Sequence, residues 1–290
     1  MNRPAAKHPT NPPSYFVSVR VSLYWKRLLL FFAGAALCVL LYLFLLNFPG
    51  LGTGSASAGI VPVLALAAST WLLTLRFLRL DGVSLSQLGL GAGDHRLARL
   101  GIGFVAGSVL TLVWLAIVIL TTGATWHLNP KFRAIALIGW CVFAFFNNVG
   151  EELVYRGYAF VRLADRFGPY VAALSTTSLF ALLHLQAGIP WLSVLAGVFS
   201  SGLIFAAIFA RWLSVPLALG FHVATNIVQD ASGLRTSAAS LFALTFPQTA
   251  PNAGALTLGS IALINVILAA VILETSGKRG AQAKGPAKTS

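Results

Sequence analysis

Long runs of apolar residues alternate with short polar segments along most of the chain. Each run has about 20 residues, the length that an α-helix needs to cross the hydrocarbon core of a membrane. The pattern predicts about eight transmembrane helices. They cover residues 28–46, 58–78, 100–121, 137–160, 170–187, 190–210, 213–230 and 255–273. We therefore expect an all-α, polytopic membrane protein with a membrane domain at residues 28–273.

The composition supports the same class of protein. Of the 290 residues, 57% are hydrophobic and 9% are charged, and the mean hydropathy is +0.83. A soluble domain carries about 25% charged residues, so the chain is expected to be an integral membrane protein. Cys38 and Cys141 both lie in predicted spans. They therefore indicate neither a disulfide framework nor a cysteine metal site.

The basic residues are distributed unevenly between the predicted loops. If the N-terminus is cytoplasmic, 17 of the 20 Lys and Arg residues are cytoplasmic, Arg156 and Arg162 among them, and the outer loops hold Lys131, Arg133 and Arg235. Basic residues concentrate in cytoplasmic loops, so both termini are predicted to be cytoplasmic. Residues 1–27 and 274–290 are then basic cytoplasmic tails, which we expect to be disordered.

The net charge of +13 follows from this orientation and from attraction to anionic lipid head groups. A nucleic-acid partner is not needed to explain it. We expect a multi-pass protein of the cell membrane, in a bacterium, with the lipid bilayer as its surroundings.

One apolar run contains two carboxylates and a guanidinium, in the sequence Asn-Asn-Val-Gly-Glu-Glu-Leu-Val-Tyr-Arg at residues 147–156. Of the acidic residues, only Glu151 and Glu152 are expected to be deep in the membrane. Residues four apart share a helix face, so Glu152 can pair with Arg156 while Glu151 points about 100° away. An ionisable residue in a span indicates a functional site, since hydrocarbon does not solvate charge.

Two later spans each contain a histidine. His184 lies four residues after Phe180, and Asn226 lies four residues after His222, so each pair shares a helix face. A single buried histidine is more often bonded to a backbone carbonyl. A free carboxylate, two imidazoles and an amide together can activate water and stabilise an oxyanion. Straight helices would nevertheless place His184 up to ~10 Å nearer the outer face than the other groups.

The three motifs, in this order on successive polar-bearing helices, resemble those of the CPBP family of intramembrane proteases, also called ABI. The family takes its name from CAAX prenyl proteases and bacteriocin-processing proteins. The resemblance covers a protease-like core at about residues 134–230. It implies an eight-helix core whose polar cavity opens to the cytoplasmic side, and an endopeptidase that cleaves membrane-associated proteins or peptides.

The resemblance also implies roles for the motif residues. Glu151 is the general base that activates water, and His184 holds or polarises that water. His222 and Asn226 bind the oxyanion. The other motif residues are structural: Glu152 and Arg156 form the pair that orients their helix, and Phe180 shapes the pocket.

The resemblance leaves the cofactor open between one divalent metal, such as zinc, and none. Glu151, His184 and His222 are a possible metal set, because two histidines and one glutamate with an open position can bind zinc. The chain has no His-Glu-x-x-His stretch. We favour the metal-free, glutamate-type mechanism.

Two other classes of protein remain as alternatives. A proton- or ion-coupled transporter could use Glu151, His184 and His222 as a relay. It would be expected to have two matching halves with broken helices, and no internal repeat is evident. A silent scaffold would be expected to lack a motif residue, and none is missing. The substrate stays open between a prenylated CAAX-type protein, a secreted peptide leader and a membrane regulator.

Overall fold

Most of the predicted membrane domain is helical in the structure, a computed structural model that describes residues 21–48, 59–185, 188–235, 237–247 and 253–283. Residues 1–20 of the predicted tail 1–27, and residues 284–290 of the predicted tail 274–290, lie outside the described residues. Residues 21–27 and 274–283 are helical, in the first and the last helix, so the expectation of disorder is wrong for these parts of the tails. The helices are α1 (Val21–Leu46), α2 (Ile60–Leu80), α3 (Arg96–Thr122), α4 (Ala134–Tyr155), α5 (Tyr158–Phe167), α6 (Pro169–His184), α7 (Trp191–Ser193), α8 (Ser200–Trp212), α9 (Val215–Ala231) and α10 (Ala253–Ala283). A π-helical segment, Val194–Phe199, joins α7 to α8, and a 3-10 turn spans Leu85–Leu88.

The prediction of an all-α membrane protein is confirmed, while the number of about eight spans is approximate. In the described residues, six segments are long and apolar enough to cross a membrane. They are Leu23–Leu46, Ile60–Leu80, Arg96–Thr122, Ala134–Phe167, Trp191–Trp212 and Gly254–Thr275. Helices α6 and α9 coincide with the other two predicted spans but have 16 and 17 residues. At 1.5 Å per residue each is about 25 Å long, less than the ~30 Å hydrocarbon core.

The span predicted at residues 137–160 is wrong at its end. Helix α4 stops at Tyr155, and a separate helix begins at Tyr158. Gly157 makes the break, with φ −86° and ψ −126°. A Cβ at this position would lie 2.1 Å from the carbonyl oxygen of Leu153, so a larger residue does not fit. Glu151 is therefore about 6 Å from the end of its helix.

Helices α3 and α9 pack with their backbones close together. Gly103 and Gly107 line the contact, and a Cβ at either would lie within 2.4 Å of a carbonyl oxygen, of Leu217 and Phe221 respectively. Small residues four apart allow such an approach in membranes. The contact holds α9, which carries a histidine, at a fixed distance from α3.

A second buried ionic cluster lies at the end of α2. Asp81 directly follows α2, beside a loop, and its side chain is fully buried. It pairs with Arg27 and, at 3.2 Å, with Arg162, and it accepts a 2.7 Å hydrogen bond from Tyr158. Arg162 in α5 and Arg156 in the turn before it are also buried. The basic residues remain unevenly distributed without these two.

A small antiparallel sheet covers one end of the bundle. Strand β1 (Thr125–Leu128) follows α3, and strand β2 (Phe242–Thr245) follows α9. The rings of Trp126 and Phe242 lie 4.2 Å apart across it. The two connections were both predicted to be outer loops, and their pairing places them on the same side of the membrane.

The topology can be tested with reporter fusions on the two sides of α3. We expect a fusion after Asn129 to report outside and one after Asp94 to report inside, because basic residues favour the cytoplasmic side. Alkaline phosphatase and green fluorescent protein give opposite signals for each position. Exchanged signals would invert the orientation, and equal signals would mean that α3 does not cross.

Candidate active site

The polar motifs meet where the last turn of α4 faces helices α6, α8 and α9. Glu152 is completely buried there. Its Oε1 atom accepts a 3.2 Å bond from Nη1 of Arg156, as the spacing on one helix face predicted. The same oxygen accepts a 2.8 Å hydrogen bond from Nδ1 of His222. This buried carboxylate therefore holds two helices together, a contact that was not predicted.

Glu151 has different surroundings from its neighbour. Its side chain is 22% exposed. Its Oε1 atom accepts a 3.0 Å hydrogen bond from Asn147, one turn earlier in α4. Its Oε2 atom lies 3.6 Å from Nε2 of His222. That distance is longer than a hydrogen bond, so Glu151 remains accessible to another polar group.

His222 lies between the two carboxylates. A carboxylate only accepts hydrogen bonds, so we assign a proton to the Nδ1 atom that faces Glu152. In the neutral ring, Nε2 then carries a lone pair directed toward Glu151. The imidazole is oriented by one carboxylate and faces the other, an arrangement suited to moving a proton.

Aromatic rings exclude water from one side of this group. Phe205 stacks on His222 at 4.2 Å, and Phe180 meets the same ring edge-on at 5.9 Å. The guanidinium of Arg156 lies 4.9 Å from the Phe180 ring and 5.5 Å from that of Phe205, within the range of cation–π attraction. Electrostatic interactions are stronger in such surroundings than in water.

His184 is the last residue of α6 and lies at the edge of the cluster. Its Nδ1 atom donates a 2.8 Å hydrogen bond to the carbonyl oxygen of Phe180, and the two rings are 4.5 Å apart. Within the described part of the chain, no hydrogen bond or ion pair joins His184 to Glu151 or His222. Phe180 contacts both histidine rings and thus lies beside His184 of α6 and His222 of α9.

Two asparagines complete the site, and the sequence analysis assigned them no role. Asn148, fully buried, accepts a 3.1 Å hydrogen bond from Nδ2 of Asn226. Asn147 and Asn148 each lie four residues before a glutamate, a spacing that could have indicated both. Phe205 was also missed, because a phenylalanine in an apolar run gives no such signal.

The donor set does not form a complete metal site. A catalytic zinc site has three protein ligands close together. In the described residues, no three His, Cys, Asp or Glu side chains form a group that could hold a metal ion. Glu151 and His222 face each other, while His184 is separate. No step of the chemistry below is therefore assigned to a metal.

The buried pair can be tested through stability. Changing Glu152 to Gln leaves Arg156 without its counter-charge, which costs on the order of 3–5 kcal/mol for a buried pair. We expect a lower midpoint of thermal unfolding in detergent. The double variant Glu152→Gln with Arg156→Gln should recover part of the loss. Strictly additive effects would show that the two charges are not coupled.

Comparison with known proteins gives a family match for the part of the chain that contains the three polar motifs. Residues 132–228 match the family model described as type II CAAX prenyl endopeptidase, Rce1-like. The match begins just before α4 and ends in α9, so it contains all three motifs and agrees with the core predicted at about residues 134–230. No curated protein and no solved structure matched the chain. The resemblance to the CPBP family is confirmed by this match, and residues 132–228 are similar to Rce1-like endopeptidases of the CAAX type.

Proposed function

We propose that the protein is an intramembrane endopeptidase that hydrolyses a peptide bond with water activated by Glu151. The observation that carries this proposal is the set of contacts Glu151, His222 and Glu152, built from two helices inside the segment that matches the protease family. The substrates are membrane-associated proteins or peptides. A prenylated CAAX-type tail is the first candidate among them, because the matched family is named for that activity.

The two glutamates can be assigned different tasks from their surroundings. Glu152 already accepts bonds from Arg156 and His222 through one buried oxygen. Glu151 is partly exposed and has a carboxylate oxygen directed toward the imidazole. A general base needs access to the proton that it removes. Glu151 is thus the base that takes a proton from water as the water oxygen attacks the carbonyl carbon.

The histidines and Asn226 complete the reaction. In its protonated form His222 donates through both nitrogens, to Glu152 and to the negative oxygen of the tetrahedral intermediate, and Asn226 adds an amide donor. The Nδ1–H group of His184 donates a hydrogen bond to the carbonyl oxygen of Phe180, so the Nε2 atom can accept a hydrogen bond from the water. The proton held by Glu151 then passes to the leaving amine, the C–N bond breaks, and Phe180 forms a wall of the pocket.

We do not propose a proton or ion relay of the transporter type through Glu151, His184 and His222. It would require His184 to exchange protons with Glu151 or His222, and among the described residues no hydrogen bond connects them. The family match also favours hydrolysis over transport.

The role of Glu151 can be tested by changing it to Gln, which keeps the volume and removes the basic oxygen. We expect the variant to insert and unfold like the wild type but to lose about 10²–10⁴-fold in kcat, the usual size of general-base catalysis. The measurement uses purified protein in liposomes and peptides that end in Cys-aliphatic-aliphatic-Ser, with and without a farnesyl group. Mass spectrometry identifies the cleaved bond.

Glu274→Gln is the matched control, because it makes the same chemical change at an exposed position of α10, outside the matched segment. It should cleave like the wild type. Full activity of Glu151→Gln together with a stable, inactive Glu152→Gln would exchange the roles of the two glutamates.

Metal dependence is tested on the same protein. A chelator removes metal from the protein, and elemental analysis shows that none is left. Since only two of the three possible ligands lie together, we expect such preparations to keep full activity. A loss of cleavage that zinc restores, with about one zinc bound per chain, would instead support the metallo-type mechanism.

A further inference from the structure

A polar side chain in the last helix lies outside the segment that matches the family. Asn265 is near the middle of the candidate span Gly254–Thr275 and is completely buried. Its Oδ1 atom accepts a 3.0 Å hydrogen bond from Nε1 of Trp114 in α3. Its Nδ2 atom donates to the hydroxyls of Ser200, at 3.0 Å, and Ser201, at 3.4 Å, at the start of α8. One amide thus joins three helices.

Ser200 continues this network into the π-helical segment. Its hydroxyl donates to the carbonyl oxygens of Ala196 and Gly197, the latter at 3.3 Å. A π-helical turn in an otherwise α-helical span changes the direction in which the following residues point, and such turns are frequent at functional sites. Asn265 binds the residue at which the π-helical segment passes into α8. It therefore contributes to the position of the first turn of α8.

That turn contacts the candidate active site. The carbonyl oxygen of Gly202 accepts a 3.0 Å hydrogen bond from Nη2 of Arg156. There is little free space around it, because a Cβ on Gly202 would lie 2.9 Å from Thr177 and 3.2 Å from Phe180. A shift of α8 would therefore move Arg156, and with it the carboxylate of Glu152.

We propose that Asn265 is a positioning residue for the peptidase site. By holding Ser200 and the first turn of α8, it keeps the Gly202 carbonyl in place for Arg156, which fixes Glu152 and, through it, the imidazole of His222. The inference rests on the proposed peptidase function. It adds a residue from α10 to a site whose other members all lie in α4, α6, α8 and α9.

The alternative is that Asn265 only helps the helices to pack, as polar residues do in many membrane bundles. The two roles differ in what they do to catalysis. A positioning residue does not touch the substrate, so its loss should lower kcat and leave KM nearly unchanged. A packing residue should lower the unfolding temperature and leave kcat per folded molecule as it was.

The main test compares the variants Asn265→Leu and Trp114→Phe with the wild type. For each protein, kcat, KM and the unfolding temperature are measured in liposomes, with the CAAX peptide that the wild type cleaves as the substrate. Asn265→Leu removes the link to α8. Trp114→Phe removes the bond that the same amide makes to α3 and leaves the link to α8 intact, so it is the matched control. We expect Asn265→Leu to lower kcat by about fivefold to tenfold, the rate change that corresponds to one hydrogen bond. KM should stay within about twofold. Trp114→Phe should lower only the unfolding temperature.

Ser200→Ala is the second variant, and it keeps the test decisive if Asn265→Leu folds poorly. It removes the nearer of the two acceptors on α8 by a smaller change and leaves the weaker bond to Ser201, at 3.4 Å. We expect the same loss in kcat, with no further loss in the double variant Asn265→Leu with Ser200→Ala, because both changes break one link.

Three results would overturn the proposal: wild-type kcat in Asn265→Leu, wild-type kcat in Ser200→Ala, or an equal loss of kcat in Trp114→Phe. Failure of the wild-type protein to cleave any peptide would refute the peptidase function itself, which is a separate outcome.

Discussion

The completely buried carboxylate of Glu152 is the interaction on which the site depends. It binds Arg156, which directly follows α4, and His222 on α9 through one oxygen. Arg156 in turn binds the backbone of α8. A buried charge is stable only when it is paired and hydrogen-bonded, so these partners cannot be lost independently. The requirement to neutralise one glutamate thereby sets the relative positions of three helices.

Glu151 is available for chemistry because the guanidinium of Arg156 pairs with Glu152 instead. Adjacent residues on a helix point about 100° apart, so only one of the two can share a face with Arg156. Glu151 is left partly exposed, next to an imidazole that Glu152 orients. Two identical side chains thus acquire different tasks from their surroundings, a pattern common in enzymes with paired carboxylates.

The rest of the bundle holds these helices in place by two kinds of contact. Close backbone packing at Gly103 and Gly107 fixes α9 against α3. Buried polar groups act elsewhere: Asp81 joins α1, α2 and α5, and Asn265 joins α3, α8 and α10. Apolar packing alone distinguishes poorly between helix positions in lipid, because lipid tails are as apolar as the side chains. Directional polar bonds can therefore specify one arrangement.

The sequence alone determined the fold class and the pairing of Glu152 with Arg156, because hydropathy over 20 residues and the four-residue helix repeat are local properties. It also indicated the family, since the motif residues and their order are properties of the chain itself. Only the tertiary structure decided that His222 faces Glu152, that Phe180 stands beside both histidines, and that Asp81 is buried. Those contacts join residues from different helices, and no local pattern encodes the tilt and rotation that bring them together. The break at Gly157 was missed for a related reason: hydropathy continues across it, while the backbone changes direction at a position that only glycine fits.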